Sequence, residues 1–156
     1  MSHLISDAAN DGGAIASGRE LHWHIIESTD RWFQSYQRAV ASKPTSQSAT
    51  VTRWNSQSVV GLLARLKQPV AKEPAIYLVW EYPLGEISPT RMLDLIATVA
   101  EHKPRSIQMA HVRPSVATST LIALQEAGIS VVLHDLWTLR RVMRRIELLH
   151  GVAAGR

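Results

Sequence analysis

The sequence predicts an α/β fold in which five parallel strands form one sheet, with helices on both faces in a three-layer sandwich. Three observations carry that prediction. Short runs rich in β-branched and aromatic residues alternate strictly with segments whose apolar residues recur at helical spacing, five of each. The connections are short and close on residues that stop or start helices, such as Pro104, Ser88-Pro89 and Gly128. Strict alternation requires crossover connections, and right-handed crossovers leave the strand order 2-1-3-4-5 as the ordinary solution at 156 residues.

The elements follow in order. Residues 1–18 are rich in Ala, Gly, Asp, Asn and Ser without a sustained period and read as a flexible tail, as do residues 151–156; one domain is expected over residues 19–150. Leu21–Ile26 reads as the first strand. A helix follows from about Asp30 to Ala41, with Trp32, Phe33, Tyr36 and Val40 as its apolar stripe and Lys43-Pro44 closing it. Ala49–Trp54 is the second strand. Asn55 is placed to cap the next helix, whose Val59, Leu62, Leu63 and Leu66 fall at i, i+3, i+4 and i+7. Ala75–Trp80 is almost wholly apolar, which suits a central strand covered on both faces. Ser88 and Pro89 open a helix buried through Met92, Leu95, Ile96 and Val99. Ser106–Ala110 is the fourth strand, and Ser115 is expected to cap the helix that ends at Gly128. Ser130–Leu133 is the fifth strand, and Leu136 to about Leu149 the last helix.

Composition narrows the function classes. The chain is 46% hydrophobic and 19% charged, a globular balance, and no apolar run reaches the roughly 18–20 residues of a spanning helix. No secretory leader is visible at Met1–Asp7. Cysteine is absent, which excludes disulfides and thiolate chemistry and is compatible with a cytoplasmic setting. A net charge of +4, carried mostly by Arg, allows contact with nucleic acid or an acidic protein without demanding either. There is no phosphate-loop, dinucleotide or nucleophile-elbow pattern, and Gly12-Gly13 opens no helix.

Two stretches resemble response-regulator receiver domains, and the flavodoxin-like arrangement is theirs. Leu78-Val79-Trp80-Glu81-Tyr82-Pro83-Leu84-Gly85 resembles the receiver segment in which a buried strand ends before a turn bearing Met-Pro and then Gly. Leu124-Gln125-Glu126-Ala127-Gly128-Ile129-Ser130-Val131-Val132-Leu133 resembles the passage from the fourth helix into the fifth strand. The likeness runs from Leu21 to His150. It implies a regulatory, protein-binding module of signalling or transcriptional control.

The same resemblance implies a degenerate pocket, that is, a pseudo-receiver. The acidic pair that holds magnesium is matched by Glu27-Ser28, and the phospho-accepting Asp by Val79. Glu81 lies two residues too far along. The Thr or Ser of the fourth strand is matched by Ala110 or His111, and the Lys-Pro of the fifth by His134-Asp135. No metal, cofactor or catalytic residue is expected on this reading.

Three further patterns stand beside it. Glu27, Glu81, His111 and His134, all at strand ends, would suit a small enzyme or metal-binding domain, although polar residues surface there in any such fold. His22 and His24 share a strand face, ordinarily a half-exposed pair and rarely a metal site. The last helix sets Arg140, Arg141, Arg144 and Arg145 opposite its apolar stripe, with Trp137 at its start. In receivers this region makes dimers and partner contacts, so these five residues are the expected interface. Nucleic-acid contact through the arginines is the remaining alternative. Trp80 and Trp137 are expected to show partial exposure as interface anchors, and the other Trp residues to pack in the core or at its rim.

Overall fold

A computed structural model describes residues 20–41 and 49–149. It contains β1 (Leu21–Ile26), α1 (Arg31–Ala41), β2 (Ala49–Trp54), α2 (Val59–Lys67), β3 (Ala75–Glu81), α3 (Pro89–His102), β4 (Ile107–His111), α4 (Thr118–Ala127), β5 (Ile129–Leu133) and α5 (Leu136–Leu149). The five strands pair in parallel in the order β2-β1-β3-β4-β5, as the sequence predicts. The expected tails, Lys43-Pro44, and the side chains of Val40 and Leu149 lie outside what is described.

The central strand β3 is buried at every position but its last, because helices cover both faces. Its even-numbered side chains join α2, α3 and α4 in one core around Leu62, Ile76, Leu78, Trp80, Ile96 and Leu124. Its odd-numbered ones join α1 and α5 in a second core around Trp23, Trp32, Tyr36, Tyr77, Val79 and Met143. The alternation of β3 thus decides which face each residue serves.

Local chemistry sets the helix starts. The expected Asn55 cap of α2 falls one turn early: Ser58 is the residue before the helix and makes no side-chain cap bond to it, while Asn55 Oδ1 accepts from the Gln57 and Ser58 backbone N–H groups and Ser58 Oγ accepts from Asn55 N–H in the preceding turn. Ser88 Oγ accepts from Arg91 N–H with Pro89 in the first helical position. The cap of α4 is a correction: Ala117, not Ser115, precedes it, with no side-chain bond, because residues 113–116 form a separate turn closed by Val116 N–H to Arg113 O. At the far end, Gly128 has φ +138° and its N–H reaches Leu124 O and Gln125 O; a Cβ there would lie 3.0 Å from Ala100 Cβ.

Two further expectations are revised. Trp80 is fully buried and no anchor: its Nε1–H donates to Gln108 Oε1 at 2.8 Å, while Gln108 Nε2 donates to Ile96 O at 3.0 Å. His24 is buried, not half-exposed, because α2 and the edge strand's Trp54 cover it.

Candidate functional site at the carboxyl edge of the sheet

Parallel strands present their carboxyl ends together, so β1, β3, β4 and β5 bring the sequence-selected residues to one edge. Register sets their order. Val79 lies between Ile25 of β1 and Met109 of β4, and Glu81 lies beside His111. Val79 is 1% exposed and belongs to the core under α1 and α5. Glu81, two residues on, emerges partly from the sheet, and its Oε1 accepts from the Ser28 backbone N–H at 3.1 Å. Ser28 is exposed, and its Oγ would lie 3.0 Å from a Cβ on Gly85, whose φ is +50°. Only glycine brings the β3–α3 loop that near without strain.

Glu27 has a structural task. It is fully buried, and its two carboxylate oxygens accept from Trp32 N–H at 2.9 Å and Phe33 N–H at 3.0 Å, in the first turn of α1. Both donors are orphaned by helix geometry, and the helix dipole favours an anion there. Burial nonetheless raises the Glu27 pKa, against the opposing pull of those two hydrogen bonds, and the nearby Glu81 adds to the rise. Arg53 Nε lies 4.0 Å from Glu27 and 2.7 Å from Asp30 Oδ1, so its charge is directed mainly at Asp30. Replacing Glu27 by Ala leaves two helix N–H groups buried without an acceptor and should cost about 2–4 kcal/mol, with Glu27→Gln costing less; urea unfolding curves measure both.

His111 packs against Trp32, ring centroids 4.0 Å apart, and its Nδ1 is buried without a hydrogen-bond partner. Burial, then Arg31 and His134, lower its pKa to about 4, so the imidazole is neutral near pH 7. His134 is exposed, with Nδ1 3.1 Å from Val112 O. Asp135 is the N-cap of α5: its Oδ1 accepts from Thr138 N–H at 2.8 Å and Thr138 Oγ1 at 2.9 Å, which holds its pKa below the usual range. Ala110 is buried in the opposite core.

The arrangement divides the sequence-selected residues. Glu27, Ser28 and Glu81 are brought together, while His111, His134 and Asp135 form a second group across β4 and β5. Among the described residues, no three His, Asp or Glu side chains converge as a metal site requires, and His22 and His24 form none with a third ligand. The carboxylates of Glu27, Glu81 and Asp135 each accept from backbone N–H groups. Sequence reasoning missed Asp30, Arg53 and Trp32 as members of this edge; only the position of Asp30 just before a helical stripe gave a local signal.

On the neighbouring face, Arg140, Arg141, Arg144 and Arg145 are all exposed, and none forms an ion pair among the described residues. Trp137 is 72% exposed, with the Arg140 guanidinium 5.8 Å from its ring centroid. No helix among the described residues is long and apolar enough to cross a membrane.

The fold is that of response-regulator receiver domains. The chain is similar to a response regulator from Thermotoga maritima at 17% identity, covering 80% of this chain and 96% of that one with a TM-score of 0.57. It is similar to the pilus assembly protein CpaE from Caulobacter crescentus at 17% identity, covering 85% and 96%, also with a TM-score of 0.57. A response regulator from Burkholderia pseudomallei, carrying a phosphorylated aspartic acid, calcium ion and citrate, matches at 15% identity and a TM-score of 0.54; the alignment covers 73% of this chain but only 59% of that protein. No protein-family model and no curated protein matches the sequence.

Proposed function

We propose that this chain is a receiver-type regulatory module that works without phosphoryl transfer and acts by binding a partner protein through α5. The observation that carries the reading is Val79: a buried branched alkyl group occupies the strand position that, by the resemblance, an acceptor aspartate would hold. Glu27 supports it, since its oxygens are committed to the α1 backbone, and so does the His134-Asp135 pair, whose acid caps α5. The similar proteins include response regulators and a pilus assembly protein, so a cytoplasmic signalling or assembly role fits the fold.

The α5 face favours an acidic partner over a second copy. Four arginines lie within two turns beside an exposed tryptophan, and a two-fold contact through that strip would oppose like charges. Arg and Trp are also the side chains that most often dominate protein interfaces. The test uses a poly-glutamate peptide as an acidic probe at low salt, measured by calorimetry. Binding is expected, and Trp137→Ala should weaken it several-fold while leaving stability within about 0.5 kcal/mol, because the side chain is mostly solvated. Binding that is indifferent to Trp137→Ala and to Arg141→Glu with Arg145→Glu would refute the assignment of this face. Salt-dependent retention on duplex DNA, lost in the charge-reversed variant, would replace the protein partner by nucleic acid.

A further inference from the structure

The opposite edge of the sheet, at the amino ends of the strands, holds two adjoining hollows that the receiver-type reading does not use. One, of about 280 Å³, is lined by His22 and His24 of β1, Arg65 at the end of α2, Lys72 in the loop before β3, and their neighbours. The other, of about 380 Å³, has a mostly apolar surface from Ala75, Tyr77, Pro104 and Ile107, with His102, Arg105 and Ser106 at its lining as well. Glu73, Pro74, Ile76 and Lys103 line both, so the hollows lie side by side.

The charges in the smaller hollow are unevenly compensated. Glu20 lies 3.1 Å from His22, and Glu73 pairs with Lys103 at 2.7 Å. Among the described residues Arg65 and Lys72 have no ion-pair partner, and both are exposed. His24 completes the set from beneath. Its Nδ1 lies 3.1 Å from Trp54 Nε1, and because an indole nitrogen only donates, Nδ1 must be the acceptor. Burial, with Arg65 and His22, holds the His24 pKa down to about 4, so the ring is neutral and its one proton sits on Nε2. The hollow therefore offers two cations and a neutral N–H donor of fixed tautomer beside a largely apolar chamber.

We propose that this edge binds a small organic anion, its carboxylate or phosphate held among His24, Arg65 and Lys72 and its apolar body lying along Pro74 and Ile76 toward the larger hollow. The helices α2 and α3 end at this edge with their carbonyl groups, so attraction for an anion comes from the side chains and not from a helix terminus. The apolar walls supply the discrimination against inorganic ions.

The Trp54 indole N–H, bonded to the far side of the His24 ring, is a local reporter. The test is a titration of the full chain with benzoate at pH 7 and constant ionic strength, followed by the Trp54 indole peak in ¹H–¹⁵N spectra and assigned through Trp54→Phe. A saturable shift is expected, weaker with acetate, absent with benzyl alcohol, and weakened at least ten-fold by Arg65→Ala combined with Lys72→Ala. Both substituted side chains are exposed, so that variant keeps the fold. No saturable shift with benzoate, or an equal affinity in the double variant, overturns the proposal. Saturation by benzyl alcohol alone would also overturn it, since the site would then be apolar and not anionic.

Discussion

Val79→Asp is expected to destabilise the chain by at least about 4 kcal/mol at pH 7, a large share of the roughly 5–15 kcal/mol that holds a domain of this kind together. The side chain is 1% exposed and packed between Ile25 and Met109 on the face covered by α1 and α5. Aspartate there loses the burial of two methyl groups and places a carboxylate among the apolar side chains of the core under α1 and α5. Its pKa would rise, so the deficit relative to the parent chain should be greatest at neutral pH and narrow as acid neutralises the new group. Urea unfolding of both proteins at pH 7 and pH 4 measures this. A Val79→Asp chain within about 1 kcal/mol of the parent at pH 7 would mean that the position is solvated and the pocket open, contradicting a closed apolar core beneath α1 and α5.

The parent chain should itself lose stability between pH 6.5 and about 4, because two histidines are held neutral in the fold. His24 is buried, and His111 is wedged against Trp32. In the unfolded chain both take a proton near the ordinary value of 6.5, whereas in the folded chain both wait until about 4. The unfolded state therefore binds more protons across that window, and stability falls as pH falls through it. For His24, burial and pKa together set the loss at up to about 3 kcal/mol by pH 4. Glu27 acts in the opposite sense: its raised pKa makes the folded chain hold a proton more tightly, which favours folding as pH approaches its usual 4.5. Melting curves in steps from pH 7.5 to 4 should show the decline, and His111→Leu should flatten it by removing one of the two protonations. A stability profile flat across that window would contradict two histidines held neutral in the fold.

The frame of the fold was legible because it rests on periodicity. The apolar stripes of α2 and α3, the unbroken run of β3 and the Ser88 and Gly128 signals are local in sequence, and each marks its element to within a residue or two. The matching of Val79 to the acceptor position rested on the resemblance, because the unbroken apolar run of β3 offers no alternation from which a face could be read; its side facing α1 and α5 emerges only in the folded chain. What was not legible depends on residues that meet only in the folded chain. The burial of Trp80 rests on Gln108, 28 positions away, whose amide bridges Trp80 and Ile96. The burial of His24 rests on Trp54, 30 positions away on the edge strand. Glu27 read as half of a metal pair, yet it faces the N-terminus of α1, because a strand ending just before a helix places its last side chain among orphaned N–H groups. Asp135 read as a displaced pocket residue, although an Asp immediately before the apolar-periodic α5 is a plain capping signal.

Intact-mass spectrometry after incubation with acetyl phosphate and magnesium tests the central claim most directly. On the proposed reading, in which buried Val79 stands where the resemblance would place an acceptor and the Glu27 oxygens are occupied by the α1 backbone, the mass should remain that of the unmodified chain. A stoichiometric gain of one phosphoryl group, abolished by Glu81→Gln, would contradict the account by showing that the displaced carboxylate has taken over as acceptor.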